Sequence, residues 1–558
     1  MWFVADHSTD GMTHEFHYGA AGRLTATALP DGREVGVEYG AESDAWAAVS
    51  LAGEELARVG RDAAGREVAR QAGAVRQVQE FDPQGRLVRQ AGATARGAAV
   101  IARRYGYDAA DQIIRLEDQA RGARTYEYDA CERLLAVGGS APERFVVDPA
   151  GNILARDVVG SGALAGDAAP GDRLARYRDG AEERTFTYDA WGNRAAERRA
   201  GKGGVAEGAY LYDTNNVLRE VRTTERDRTG LARFGYDALG RRVWKATAWQ
   251  VAGPAAPELP DNAWRRTAFV WSGDLLAAES DRPEDDPLAT VYAYEPDSFT
   301  PLALAKREGA AGAVYRYHVD HLGTPQELSD AAGAVAWRAT QQAWGAVARA
   351  GGGRVAQPLR FQGQYADAET GLHYNRHRYY SPAEGRFVNQ DPIRLAGGEN
   401  ISAYTPNPVQ WLDPLGLACT FDPNASRWRD TDTGRFRTRP ADPLEMVQGG
   451  SVKHGDVQAW ANQRSLPNQW TDPHNNFPSG GFKYRTTEGG YDYQVHGHGA
   501  GTTAPAGSNS ASGPTARISR RPAGGPFSSQ QSGLQSGGYG SYVGNENAAH
   551  IPLTGSPY

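Results

Sequence analysis

The sequence predicts a mainly β protein, in which stacked β-hairpins form a shell that is followed by a small α+β domain. Three observations carry this reading. Glycine (68), proline (31), tyrosine (26) and tryptophan (13) are abundant while methionine (3) is scarce, a balance that favours turns and strands. An aromatic residue followed by Asp, then by Gly and a basic or polar residue, recurs through the first half of the chain. After Leu417 that pattern stops abruptly. With 558 residues and 40% apolar content, the chain is long enough for several cores.

The repeats come first. They read FDPQGRL at Phe81–Leu87, YDAADQI at Tyr107–Ile113, YDACERL at Tyr128–Leu134, YDAWGNR at Tyr188–Arg194, YDTNNVL at Tyr212–Leu218 and YDALGRR at Tyr236–Arg242, with related forms from Arg61 and Val147. Most neighbours lie about 19–26 residues apart, room for two short strands and two turns. In each copy Asp can bond the backbone of its own turn, Gly can take a positive φ, and the aromatic and the following aliphatic residue can bury on one side. These turn Asp residues are read as structural. The stretches near Gly201–Gly208, Pro254–Asp261 and Asp281–Pro287 read as insertions between repeats.

Composition excludes several classes. Cys131 and Cys419 are the two cysteines, too few and too far apart for a disulfide framework or a Cys-rich zinc site. No stretch approaches the ~18 apolar residues of a membrane helix, and the first residues lack the pattern of a cleaved signal peptide. The net charge of −7 divides unevenly: residues 418–558 hold 12 basic and 10 acidic residues, residues 1–417 hold 48 and 57. The last part is thus about +2 and carries five of the 12 histidines, compatible with an anionic substrate without establishing one.

Residues 313–417 carry the most specific motifs: HVDHLGTP at His318–Pro325, FQGQYADAETGLHYNRHRYY at Phe361–Tyr380, GRFVNQDPI at Gly385–Ile393 and NPVQWLDPLGL at Asn407–Leu417. Together with the upstream repeats they resemble the Rhs (YD-repeat) polymorphic toxins, over roughly residues 15–417. That resemblance implies a β shell enclosing an attached toxin, and aspartyl-type self-cleavage at the end of the core. Carried over by motif, the carboxylates are Asp391 and Asp413, with scission after Leu417. Arg386 is a candidate to orient or neutralise one of them. The family's first motif usually reads DPIG, and here Arg394 stands where that glycine would be. Complete shells of the family are several times longer, so residues 1–417 are expected to be a partial copy.

Two carboxylates brought together share a proton, so one can serve as base toward water and the other as acid toward the scissile carbonyl. Without the resemblance, both would read as Asp-Pro turn formers. His318, Asp320 and His321 are read as a hydrogen-bonding cluster, since two His and one Asp lack a fourth metal ligand. No metal or other cofactor is expected.

The expected domains are repeats over 1–312, an Rhs-associated core over 313–417, a linker over 418–442 and a toxin domain over 443–558. In the last, Val452, Val457 and Trp460 have helical spacing within an expected helix over 443–464. Strands are expected at GGFKYRTTEG, YDYQVHGHGA and PTARISRR, each with period-two alternation. The string YDYQVHGHG…PTARI…NAAHIPL resembles the type 30 polymorphic-toxin domains, which implies a ribonuclease. RNA cleavage without a metal needs a base for the 2′-OH, an acid for the leaving oxygen and cations for the phosphorane. His496 or His498 could be the base, His550 the acid, and Arg517 with Lys483 the charge stabilisers. Alternation puts Val495 and Gly497 on one strand face, His496 and His498 on the other.

The function expected is interbacterial competition: export by a type VI-like machine, delivery into a target cytoplasm, RNA as substrate, and a cognate immunity protein protecting the producer. The alternatives are an ADP-ribosyltransferase, marked by NAD dependence, and a non-enzymatic surface or adhesion protein, marked by a harmless tail and no self-cleavage.

Overall fold

A computed structural model describes residues 2–7, 13–19, 23–40, 45–63, 65–157, 166–251, 259–308, 311–351, 353–397 and 400–417, and beyond these 427–429, 436–438, 444, 452–453, 457, 481–488, 491–498, 515–522, 531–533, 539–540 and 551–554. The chain divides into two compact units, Met1–Ala425 and Ser426–Tyr558.

The first unit is dominated by one 31-stranded sheet that runs from Trp2–His7 to Val347–Gly351. Nearly every strand pairs antiparallel with its neighbours in sequence, as short hairpin connections require. One irregularity interrupts the meander: Ile153–Asp157 pairs parallel with Arg173–Asp179, and the short strand Asp167–Ala169 pairs antiparallel with the same strand. Gly201–Gly208 is no insertion. Arg194–Gly201 and Gly204–Tyr212 are consecutive strands in unbroken register, joined at Lys202–Gly203.

The repeat owes its form to one turn. In YDALGRR, Asp237 Oδ1 accepts from the backbone nitrogens of Leu239 (3.0 Å) and Arg241 (2.8 Å), while Arg241 Nε donates to Asp237 Oδ2 (2.7 Å). The fourth turn residue, Gly240, has φ +75°. Where the repeat lacks glycine there, Asp111, Glu132 and Asn216 take the left-handed conformation instead, with φ of 64°, 63° and 61°. In four of the repeats the tyrosine ties its turn to a carbonyl of an earlier strand. Tyr107, Tyr128, Tyr188 and Tyr236 donate from their hydroxyls to the carbonyls of Leu87 (2.8 Å), Ile113 (2.6 Å), Leu174 (2.8 Å) and Leu218 (2.7 Å).

The segment 355–412 packs against one face of this sheet. Its Tyr374, Tyr379 and Val388 join a core with Phe234, Trp271 and Tyr317, and its Phe361, Tyr380, Phe387 and Tyr404 join a second core with Tyr126, Phe145 and Tyr177. Buried ion pairs accompany the aromatics. Arg242 pairs with Asp367, Lys245 lies 3.0 Å from the same carboxylate, and Arg194 lies 3.1 Å from Glu384.

The second unit contains a seven-stranded sheet. The three strands expected from alternation are present as Gly481–Glu488, Tyr491–His498 and Thr515–Pro522, in antiparallel order. The helix expected over 443–464 does not include Val452–Lys453, a two-residue strand that pairs in parallel with Leu553 and Thr554. Apart from Leu444 and Val457, the rest of that expected helix lies outside the described residues.

Candidate functional site

The C-terminal end of the first unit is held by a buried arginine. Arg378, one residue before the short strand Tyr379–Ser381, stacks its guanidinium 3.6 Å from the centre of the Phe387 ring and is 2% exposed. Its Nη2 lies 3.1 Å from Asp391 Oδ2 and 3.1 Å from Asp413 Oδ2, so one cation joins two carboxylates 22 residues apart in sequence. Arg378 Nε donates to the Gly416 carbonyl (2.6 Å) and Nη1 to the Ile401 carbonyl (3.1 Å).

Each carboxylate divides its oxygens between a turn and this cation. Asp391 Oδ1 accepts from the Ile393 nitrogen (2.9 Å). Asp413 Oδ1 accepts from the nitrogens of Gly416 (2.8 Å) and Leu417 (3.0 Å), a turn related to those of the upstream repeats but with its first donor one residue later. Leu417 is the last residue described in this unit; Ala418 lies outside the described residues. Asn375 Nδ2 holds the same loop, donating to the carbonyls of Asp413 (2.8 Å) and Pro414 (3.1 Å), and the His377 nitrogen donates to the Leu415 carbonyl (3.0 Å). Gly363 is required opposite them, because it has φ +78° and a Cβ there would sit 1.9 Å from the Pro414 oxygen.

Burial sets the acid–base properties. Asp413 is 1% exposed, and desolvation pushes its carboxyl up to about 6 against the opposing pull of Arg378 and the two backbone donors, with Asp391 adding to the rise. Asp391 is raised as well, by desolvation, with Arg378 and the Ile393 nitrogen opposing. A pair of this kind can hold one proton between two carboxyls in mildly acidic solution, up to about pH 6.

The sequence reading placed the wrong arginine here. Arg386 Nη1 donates to Asn152 Oδ1 (3.2 Å) and its Nη2 meets the Asp172 carbonyl, so its fork is spent on the sheet rather than on either carboxylate. Arg378 lies within the motif RHRYY, where three adjacent basic residues, Arg376, His377 and Arg378, offer no spacing that singles one out. The Arg394 departure is accommodated with the turn intact: its nitrogen donates to the Asp391 carbonyl (3.0 Å) at φ +54°. His318 bonds Gln77 (2.7 Å) through Nδ1 and Ser329 (2.8 Å) through Nε2, His321 Nε2 donates to the Val409 carbonyl (2.7 Å), and Asp320 holds its own turn.

In the second unit the register aligns three candidates. Lys483 pairs with His496 and His496 with Arg517, and directly opposed residues of antiparallel strands share a face, so the three form one row across the sheet. The opposite face holds the buried Tyr484, Val495 and Ile518. Gln494 Nε2 lies 3.4 Å from His496 Nδ1, and Arg517 Nη2 donates to Ser532 Oγ (3.3 Å). His498 falls in the next row of the same strand face, paired with Gly481 and Thr515; its side chain is outside the described residues, as is His550 altogether.

Comparison with known proteins fits the repeat architecture. The Teneurin YD-shell model matches residues 68–250 and the RHS protein model residues 314–350. The double-stranded DNA deaminase toxin A of Burkholderia cenocepacia is 37% identical over 388 residues, 65% of this chain and 26% of that protein. Toxin protein Tse5 of Pseudomonas aeruginosa is 34% identical over 421 residues, 64% of this chain and 30% of that one. The tRNA3(Ser)-specific nuclease WapA of Bacillus spizizenii is 26% identical over 241 residues, 42% of this chain and 9% of that one. A solved Photorhabdus luminescens Tc holotoxin pore overlays 77% of this chain and 22% of its own at 17% identity, with a TM-score of 0.48. The chain thus spans under a third of the length of these relatives. Repeats, core motifs and relatives agree: this is an Rhs/YD-repeat chain, similar over most of its length to polymorphic toxins of that type.

Proposed function

We propose that this chain is part of an interbacterial toxin that cuts itself after Leu417 and so frees the segment from Ala418 on as a toxic enzyme. The observation that carries the reading is the Arg378 bridge, which sets two buried carboxyls beside the turn ending at Leu417. In the proposed step one carboxylate takes a proton from water as the oxygen adds to the Leu417 carbonyl carbon. The other carboxyl gives its proton to the Ala418 nitrogen as the C–N bond breaks, leaving a carboxylate on Leu417 and an amine on Ala418. Arg378 keeps both carboxyls oriented. Expression of the full chain should yield a fragment whose N-terminal residue is Ala418. Asp391→Asn and Asp413→Asn should each slow its appearance at least 100-fold, while a folded Arg386→Gln protein should still cleave. Cleavage that persists in both Asn variants would refute the step.

For the released part we propose a ribonuclease, supported by the row Lys483–His496–Arg517: a candidate base flanked on both sides by cations, as cleavage through a 2′-OH needs. His550 is the proposed acid and His498 the alternative base. The relatives named as toxins support the toxin part of this reading; export by a type VI-like machine, action in a target cytoplasm and an immunity protein in the producer are proposed with it. The test is repressed expression of 418–558 in bacteria beside His496→Ala and His550→Ala versions, following growth and total RNA. Growth arrest with intact RNA would instead favour another toxin chemistry, such as NAD-dependent ADP-ribosylation, and a harmless, soluble fragment would favour an adhesion protein.

A further inference from the structure

The polar face of the second unit's sheet extends beyond the row Lys483–His496–Arg517. Two residues along the strands, Arg485 pairs with Gln494 and Gln494 with Ser519; two further, Thr487 pairs with Asp492 and Asp492 with Arg521. These rows share one face, because their members alternate with the buried Tyr484, Val495 and Ile518. The middle strand, Tyr491–His498, therefore runs as a strip between Lys483 and Arg485 on one side and Arg517 and Arg521 on the other. Among the described residues of the three strands this face holds those four cations and one acid, Asp492, and no Phe, Tyr or Trp.

The cations are not equivalent. Arg521 Nε lies 3.1 Å from Asp492 Oδ2, so its charge is matched by an acid. Arg485 is exposed and meets no carboxylate among the described residues; its Nε donates to Gln494 Oε1 (2.9 Å). That bond holds the planar head of a long side chain beside the strip and leaves the terminal nitrogens to a ligand, a fork that suits a phosphate. Successive rows on one face of a strand stand about 6.8 Å apart, two residues at about 3.4 Å each. The phosphates of an extended nucleotide chain can follow that step, and a cationic track along the backbone is how proteins hold single strands without reading their sequence. With no aromatic ring on this face to stack a base, its contacts are with phosphates.

We propose that Arg485, oriented by Gln494, binds the phosphate next to the scissile one, so that single-stranded RNA lies along Tyr491–His498 and is held at two successive phosphates. The inference rests on the ribonuclease reading and adds a second subsite to it. The test compares the full chain with its Arg485→Ala variant on two substrates: dinucleoside monophosphates, which carry only the scissile phosphate, and random-sequence single-stranded oligonucleotides. The variant should lose about 5- to 20-fold in kcat/KM on the oligonucleotides and keep its rate on the dinucleoside monophosphates. An equal loss on both would mean that Arg485 acts through Gln494 on His496, 3.4 Å away, and would overturn the subsite; no loss on either would overturn it too. A 2′-O-methyl oligonucleotide, which resists cleavage through the 2′-OH, reads the same contact without catalysis. The slope of log binding constant against log salt should shrink by about 0.7 in Arg485→Ala and stay near the wild-type value in Arg485→Lys. An unchanged slope in Arg485→Ala, or tighter binding of duplex than of single strand, would overturn the subsite alone. A wild type that cleaves no RNA would overturn the ribonuclease reading, and the subsite with it.

Discussion

Asp413 shows what burial does to a turn residue. In the upstream repeats a related Asx geometry lies nearer the surface, and Asp82 and Asp129 are held below the usual carboxylate range by their backbone donors and their paired arginines. At Asp413 desolvation outweighs those donors, and the carboxyl rises to about 6. Because the folded value lies above the unfolded one near 3.9, the native state binds the extra proton, and stability falls as pH rises from about 4 to about 6. The loss is on the order of 3 kcal/mol. Chemical denaturation of the first unit across that range should show the decline, and Asp413→Asn should remove it. Self-cleavage should fade above about pH 6, as the proton shared by the two carboxyls is lost. Arg394 offers a second test at this scale: its φ of +54° is a conformation glycine adopts without strain, so Arg394→Gly should raise stability by about 1 kcal/mol.

At the scale of the element, the repeat was the most legible part of the sequence. Asp, Gly and the following basic residue each act locally, within the few residues that spacing displays, and the structure builds the same turn from Asp129 as from Asp237. The tyrosine contact was not legible, because the Tyr128 hydroxyl reaches a carbonyl 15 residues away in the preceding repeat. Tyr128→Phe should therefore cost about 1 kcal/mol while leaving its own turn unchanged, measurable as a shift in the denaturation midpoint. The same distinction governs the site. Asp391 and Asp413 were visible as motifs, whereas Arg378 acquires its role by joining residues 13 and 35 positions further along the chain, and Arg386 lost its expected role to Asn152 and Asp172, more than 200 residues upstream. In the tail, alternation indicated which face His496 occupies; only the pairing register aligned it with Lys483 and Arg517.

For the whole molecule, the long sheet of the first unit is covered on one face by segment 355–412, which explains why so many charges are buried in a repeat protein. Several deep arginines bridge strands distant in sequence, as Arg103 does to Glu327 and Arg242 to Asp367. Removing one partner of such a pair, for example Asp367→Ala, should cost about 3–5 kcal/mol by stranding Arg242. The last strand of the sheet has a further consequence. Among the described residues, Val347–Gly351 pairs only with Val335–Gln341. That strand therefore carries a row of amide and carbonyl groups with no strand beside it. Such a row is a template on which a further strand can crystallise, so concentrated preparations of this chain should associate edge to edge. Ala348→Pro, which removes one outward amide or one ladder bond, should reduce that association in light scattering.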